Sequence, residues 1–134
     1  MTPSAQRAHW FPRVTGVIGA LSFLGFGVWA MAAPESFFDA VAAFEPYNQH
    51  FIQDVGAFQI GLGVVLLLAV VAERADGLAI ALLGAGVGAA AHVLSHVIGL
   101  DVGGSPGTDI PLFAITTVLL VAGGIVRWRE RASD

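Results

Sequence analysis

Four residues of this chain have types and spacings that could do chemistry: His50, Asp54, His92 and His96. Each pair stands at i, i+4, so on a helix its two side chains lie one above the other on one face. Two imidazoles at that spacing can grip one metal ion together, as in the H-E-x-x-H zinc helix. His50 and Asp54 repeat the spacing with a carboxylate. Three imidazoles and one carboxylate suit zinc, copper, iron or manganese, and not calcium, which prefers oxygen ligands. Cysteine is absent. Its absence excludes disulfides, thiolate metal sites and thiol redox chemistry.

The second pair sits in residues 77–100, GLAIALLGAGVGAAAHVLSHVIGL. The first fifteen positions carry no charge and no strongly hydrogen-bonding side chain, and the histidines follow. Roughly 24 residues exceed the about 20 needed to cross a bilayer. A histidine in such a segment is costly, so it needs a partner or a use. The first pair opens the preceding apolar stretch, residues 51–71. At about 1.5 Å per residue, Asp54 lies roughly 25 Å from Val71, and His92 and His96 lie roughly 22 and 28 Å from Gly77. Two antiparallel spans would therefore put these groups in one layer near the same boundary. Ala81, Ala85 and Gly88 share the face of His92, and Gly61 shares that of Asp54. Small stripes let membrane helices approach closely. The expectation is that Gly84, Gly88, Gly56 and Gly61 bring the two spans together, so that His50, Asp54, His92 and His96 converge on one outward-opening metal site.

Two other uses of the same residues stand beside this one. The histidines can be neutral members of an interhelical polar network with Asp54, Gln53 or Ser95, or simply interfacial and solvated. They can also serve a proton, quinone or haem role. His92 and His96 project from one side of one helix, so a haem would need His50 opposite one of them.

The elements that must position these residues follow from composition. Hydrophobic residues make up 56% and charged residues 12% of the 134 positions, with a mean hydropathy of +0.78. Soluble domains carry about 25% charged residues, so this is a membrane composition. The length allows one domain, residues 1–134. A net charge of −4 argues against nucleic-acid binding.

The expected fold is all-α: an integral membrane four-helix antiparallel bundle with spans near residues 14–33, 51–71, 77–100 and 110–126. Ala30-Met31-Ala32 resembles a signal-peptide cleavage site, but the remaining chain is itself membrane-like, so residues 14–33 are read as a retained span. Residues 1–12 read as an arm without helix signal. Between the first two spans, Phe37, Phe38, Val41 and Phe44 share one helical face. This predicts a short amphipathic interfacial helix over residues 34–45, opened by Pro34, closed by Pro46 and resting its phenylalanines on the membrane or over the site. Residues 101–109, DVGGSPGTD, read as a flexible loop. Gln59 is expected to bond Thr116 or Thr117 on the last span. The GAGVGAA run is no phosphate loop, since it lies mid-span with no lysine after it.

With four spans, Arg7, Arg13, Arg74, Arg127, Arg129 and Arg131 all fall on one side. Glu35, Asp39, Glu45, Asp101 and Asp109 fall on the other. The positive-inside rule then places both termini in the cytoplasm of a plasma (inner) membrane protein. Trp10 and Trp128 would form the inner aromatic belt, and Trp29 and Tyr47 the outer one.

Residues 50–69, HFIQDVGAFQIGLGVVLLLA, resemble the second-helix pattern of the DoxX-like group of small four-span membrane proteins. In that pattern a basic or polar residue, an Asp and a Gly precede a Gly-rich apolar run. The resemblance implies an accessory or redox-associated membrane protein; the pair His92 and His96 goes beyond it.

Three functional expectations result. The first is a metal-binding membrane protein, redox-associated or hydrolytic if an open coordination position activates water. The second is an accessory or structural subunit of a larger, respiratory-type membrane complex or homo-oligomer, with lipid and protein as its partners. The third is a small transporter, which the lack of any charge between Val55 and Ala72 or between Gly77 and Ala91 disfavours.

Overall fold

Long apolar runs in a membrane have no water to satisfy their backbone groups, and a helix satisfies them internally. The computed structural model describes residues 3–72 and 74–130, without the side chains of residues 3–9 and Ala75, and the regular elements among these residues are all helices. Its elements are α1 (Pro3–Ala32), α2 (Pro34–Val41), α3 (Gln49–Val71), α4 (Ala75–Ile98) and α5 (Pro106–Glu130). Four stretches are long and apolar enough to cross a membrane: Trp10–Ala32, Gln49–Val71, Asp76–Ile98 and Pro106–Glu130. Glu73, Arg131 and the side chains of Arg7 and His9 lie outside the described residues.

The helix ends show local chemistry overriding coarse patterning. α1 begins at Pro3, where an arm without helix was expected, and runs straight through Pro12. A proline inside a helix forfeits one backbone hydrogen bond; here its ring is fully buried, which offsets part of that loss. α2 opens on Pro34, where a missing N–H costs nothing, with Glu35 in the first turn toward the positive end of the helix dipole. It ends at Val41, short of the expected Glu45, as Ala42 N–H turns back onto Phe37 and Phe38 O. α3 starts where Asn48 accepts from Phe51 N–H at 3.1 Å, an N-cap bond.

α5 starts at Pro106, inside the segment expected to be a flexible loop. Ser105 O accepts from the N–H groups of Thr108 and Asp109, both at 2.9 Å. The Asp109 carboxylate in turn accepts from Ser105 N–H at 2.8 Å. This reciprocal cap satisfies donors at the new helix end.

The dominant helix contacts are α1 with α3 and α4 with α5. Both pairs depend on glycine. A Cβ added to Gly27 would lie 2.8 Å from Gly56 O, and one added to Gly56 would lie 2.9 Å from Gly27 O. Farther along the same antiparallel crossing, a Cβ on Gly63 would stand 3.0 Å from Ala20 O. In the second pair, Cβ atoms on Gly86 and Gly124 would each come 3.1 Å from a backbone nitrogen, of Val121 and Leu83 respectively. The two pairs meet around a core of Ala20, Leu66, Leu78, Leu82, Ala85 and Leu120. A second cluster joins Phe37 and Phe38 of α2 to Ala30 and Ile52. These two phenylalanines are 2% and 7% exposed, so they pack on protein and do not rest on the membrane as the sequence suggested.

The expected roles of the small residues are therefore revised. Gly56 does make a close approach, but to α1 and not to α4. Gly61, Gly84 and Gly88 face open space, with nothing within 4 Å of a Cβ placed on them.

These observations separate two kinds of glycine. Gly56→Leu should destabilise the protein by about 1–3 kcal/mol or more through overpacking. Gly84→Leu should stay within about 0.5 kcal/mol of the parent. Unfolding in mixed micelles titrated with denaturing detergent measures both, and equal losses would refute this packing scheme.

Candidate functional site

Both i, i+4 pairs form as their spacing requires. On the first turns of α3, His50 Nε2 lies 3.6 Å from Asp54 Oδ2, with side chains 87% and 55% exposed. An ion pair this exposed adds little to stability. Near the end of α4, the rings of His92 and His96 meet edge to face at 4.7 Å.

The two pairs nevertheless do not combine. Among the described residues, no group of three or more His, Cys, Asp or Glu side chains could hold a metal ion. The expected cluster of His50, Asp54, His92 and His96 on one outward-opening site is overturned. The physical reason lies in the glycines. α3 uses its close-packing face on α1, and α4 uses its own on α5, so nothing draws the first turns of α3 and the last turns of α4 together.

What surrounds the α4 histidines is aromatic. Phe113 of α5 stands 4.6 Å from the His92 ring and 5.1 Å from that of His96. Phe44, from the segment after α2, meets His96 edge-on at 5.6 Å. Asp109 is near enough to His92 to act on it electrostatically, but its carboxylate oxygens are engaged by Ser105 N–H and the Thr108 hydroxyl.

The remaining polar groups in the spans are mostly satisfied locally. Ser95 donates to His92 O at 2.7 Å and does not join an imidazole network. Thr116 and Thr117 donate to Leu112 O and Phe113 O of their own helix. The expected Gln59 bond to either threonine does not form: both hydroxyls bond their own helix, and the backbones of α3 and α5 are not close neighbours. Gln53 crosses between helices, donating to Met31 O at 3.4 Å.

The sequence offered Phe44 as resting on the membrane or over the site, and it lies on His96; what sequence reasoning missed is the Gly103-Gly104 turn that holds the ring. Gly104 has φ +75°, and a Cβ there would strike the Phe44 ring at 2.7 Å. Gly104 N–H also donates to Ala43 O at 3.2 Å. The ring of Phe44 is thus held between a glycine turn and a histidine, and it ties the segment following α2 to the α4–α5 pair. The sequence signal was the Gly-Gly pair itself. Such a pair permits positive φ and close approach by a bulky neighbour, but nothing local names that neighbour.

The arrangement is an aromatic clasp. Comparisons with protein-family models, curated proteins and solved structures find no match for the chain.

The clasp predicts a measurable coupling. In a double-mutant cycle, Phe44→Ala and His96→Ala should interact by about 0.5–1.5 kcal/mol, the usual worth of an edge-on ring pair. Strict additivity of the two losses would show that the rings are neighbours without energetic contact.

Proposed function

We propose that this protein is a structural or accessory subunit of a larger membrane complex. In this reading it spans the plasma (inner) membrane four times as an antiparallel bundle. α2 lies at the outer interface, and both termini are cytoplasmic. The bilayer is its solvent and a second membrane protein is its partner.

One observation carries the proposal. Gly84 and Gly88 lie exposed in line with Ala91 and Ser95 on α4, with open space where a Cβ would be. Glycine inside a helix costs roughly 0.5–1 kcal/mol relative to alanine. At Gly27, Gly56 and Gly86 that cost is offset by backbone-to-backbone packing. A partner helix seated on the open face would offset it in the same way, since small residues are what membrane helix interfaces select.

Two further features agree. The hydroxyls of Thr15, Ser95, Thr116 and Thr117 each donate to a carbonyl of their own helix. The resemblance of residues 50–69 to the DoxX-like group points to the same accessory class. The placement of the termini rests on the arginines, all at one end of the sequence-derived topology.

The complete absence of cysteine makes labelling tests direct. Asp101→Cys should react with a membrane-impermeant maleimide on intact cells, and Arg74→Cys should react only after lysis; the reverse pattern would invert the topology. After extraction in mild detergent, the protein should migrate with a second polypeptide at fixed stoichiometry, and Gly84→Leu plus Gly88→Leu should abolish that association without lowering stability. Recovery of only a monomer or homo-oligomer would end the accessory reading.

A further inference from the structure

The clasp holds the segment after α2 by two contacts of different chemistry. One carries no titratable group: Gly104 N–H donates to Ala43 O at 3.2 Å, and the glycine leaves room for the Phe44 ring. The other does. Phe44 meets His96 edge to face at 5.6 Å, and His96 meets His92 edge to face at 4.7 Å. Two ionisable rings thus stand in a row behind Phe44, with Phe113 against both.

Neutral rings suit this row, because an edge-to-face pair sets the positive edge of one ring on the negative face of the next. One imidazolium also suits it, since a cation is attracted to neighbouring ring faces. Two do not. The i, i+4 spacing stacks both side chains on one face of α4, and a ring separation of 4.7 Å leaves no layer of water between them. Like charges that close repel strongly once bulk water is excluded.

The surrounding charges decide which ring gives way. On α5, Asp109 acts electrostatically on His92, while its oxygens are engaged by Ser105 N–H and the Thr108 hydroxyl. On the segment after α2, the Glu45 carboxylate accepts from Tyr47 N–H at 3.1 Å. On the turn between α4 and α5, Asp101 is exposed. Among the described residues, none of these three forms an ion pair with His96. An imidazolium at His92 is therefore attracted toward α5, whereas one at His96 has ring contacts and no ion pair. His96 is also the ring that bears Phe44.

We infer that the Phe44–His96–His92 row is an acid-operated latch: protonation of both histidines drives the His96 ring off Phe44 and frees the segment after α2 from the α4–α5 pair. Histidine is the side chain that ordinarily changes charge between about pH 5 and 8, so mild acid on the side facing the clasp is the trigger. α2 itself stays on the first helix pair through Phe37 and Phe38, so only the far end of the strut is released. The latch needs the clasp geometry alone, with or without a partner protein.

Spin labels on Ala43→Cys and Leu112→Cys report the distance across the latch by double electron–electron resonance in detergent micelles. Both positions are exposed, in a chain without cysteine. At about pH 8 one short-distance population is expected, and a longer one should grow as the pH falls toward about 5. The open row takes one more proton than the closed row, so the ratio of long to short should rise by up to about tenfold per pH unit. His92→Phe keeps a ring beside His96 and removes the second charge, so the short distance should persist throughout. His96→Phe keeps a ring against Phe44 and should do the same. A long-distance population that grows as much in either variant as in the parent would assign the change to a carboxylate and overturn the latch. A constant distance in the parent would overturn it as well. So would a distance change accompanied by loss of helical circular dichroism, which would be unfolding and not release.

Discussion

Direct approach of one helix backbone to another, permitted by glycine, is the constraint on which the rest of this structure depends. In a bilayer the lipid tails are as apolar as the side chains, so burying leucine between helices gains little. What remains is dispersion, and it needs contact. Gly27, Gly56 and Gly63 supply that contact between α1 and α3, and Gly86 and Gly124 supply it between α4 and α5. At each of these positions a single methyl group would meet backbone atoms of the neighbour at 3.1 Å or less.

Commitment to these two pairs decides the fate of the polar residues. α3 and α4 are consecutive, joined by a short connection, and each carries an i, i+4 pair toward the same end. Consecutive helices are often the closest neighbours, but here each has a better partner elsewhere. The His50–Asp54 pair is left in the open at the start of α3. The His92–His96 pair is flanked instead by the rings of Phe113 and Phe44. The same residues that looked like half of a metal site act as ring partners for phenylalanine.

The clasp around Phe44 does mechanical work that the glycine pairs cannot do. α1–α3 and α4–α5 share the core around Leu66, Leu82 and Leu120. Away from that core, the segment after α2 crosses to the second pair through the Ala43–Gly104 hydrogen bond and the Phe44 ring. α2 is anchored to the first pair by Phe37 and Phe38. A short amphipathic sequence thus becomes a strut between two helix pairs. This gives its phenylalanines a buried role that a hydrophobic pattern cannot distinguish from lipid contact.

The four long apolar helices were legible in the sequence, because length and hydropathy alone set which segments can cross a bilayer. The internal geometry of each polar pair was legible as well, since helical periodicity puts i and i+4 side by side whatever the surroundings. Helix ends were legible where proline marks them: Pro34 opens α2 as expected, whereas the Asn48 cap went unread and the Ser105–Asp109 bonds were hidden inside a loop-like run of glycine and proline. The choice of partner for each helix was not legible. Gly56, Gly61, Gly84 and Gly86 look alike in sequence, yet Gly56 and Gly86 receive a backbone and Gly61 and Gly84 receive none. That choice depends on shape matching along whole helix faces. It was made by tertiary packing, and with it went the decision that the two polar pairs would not meet.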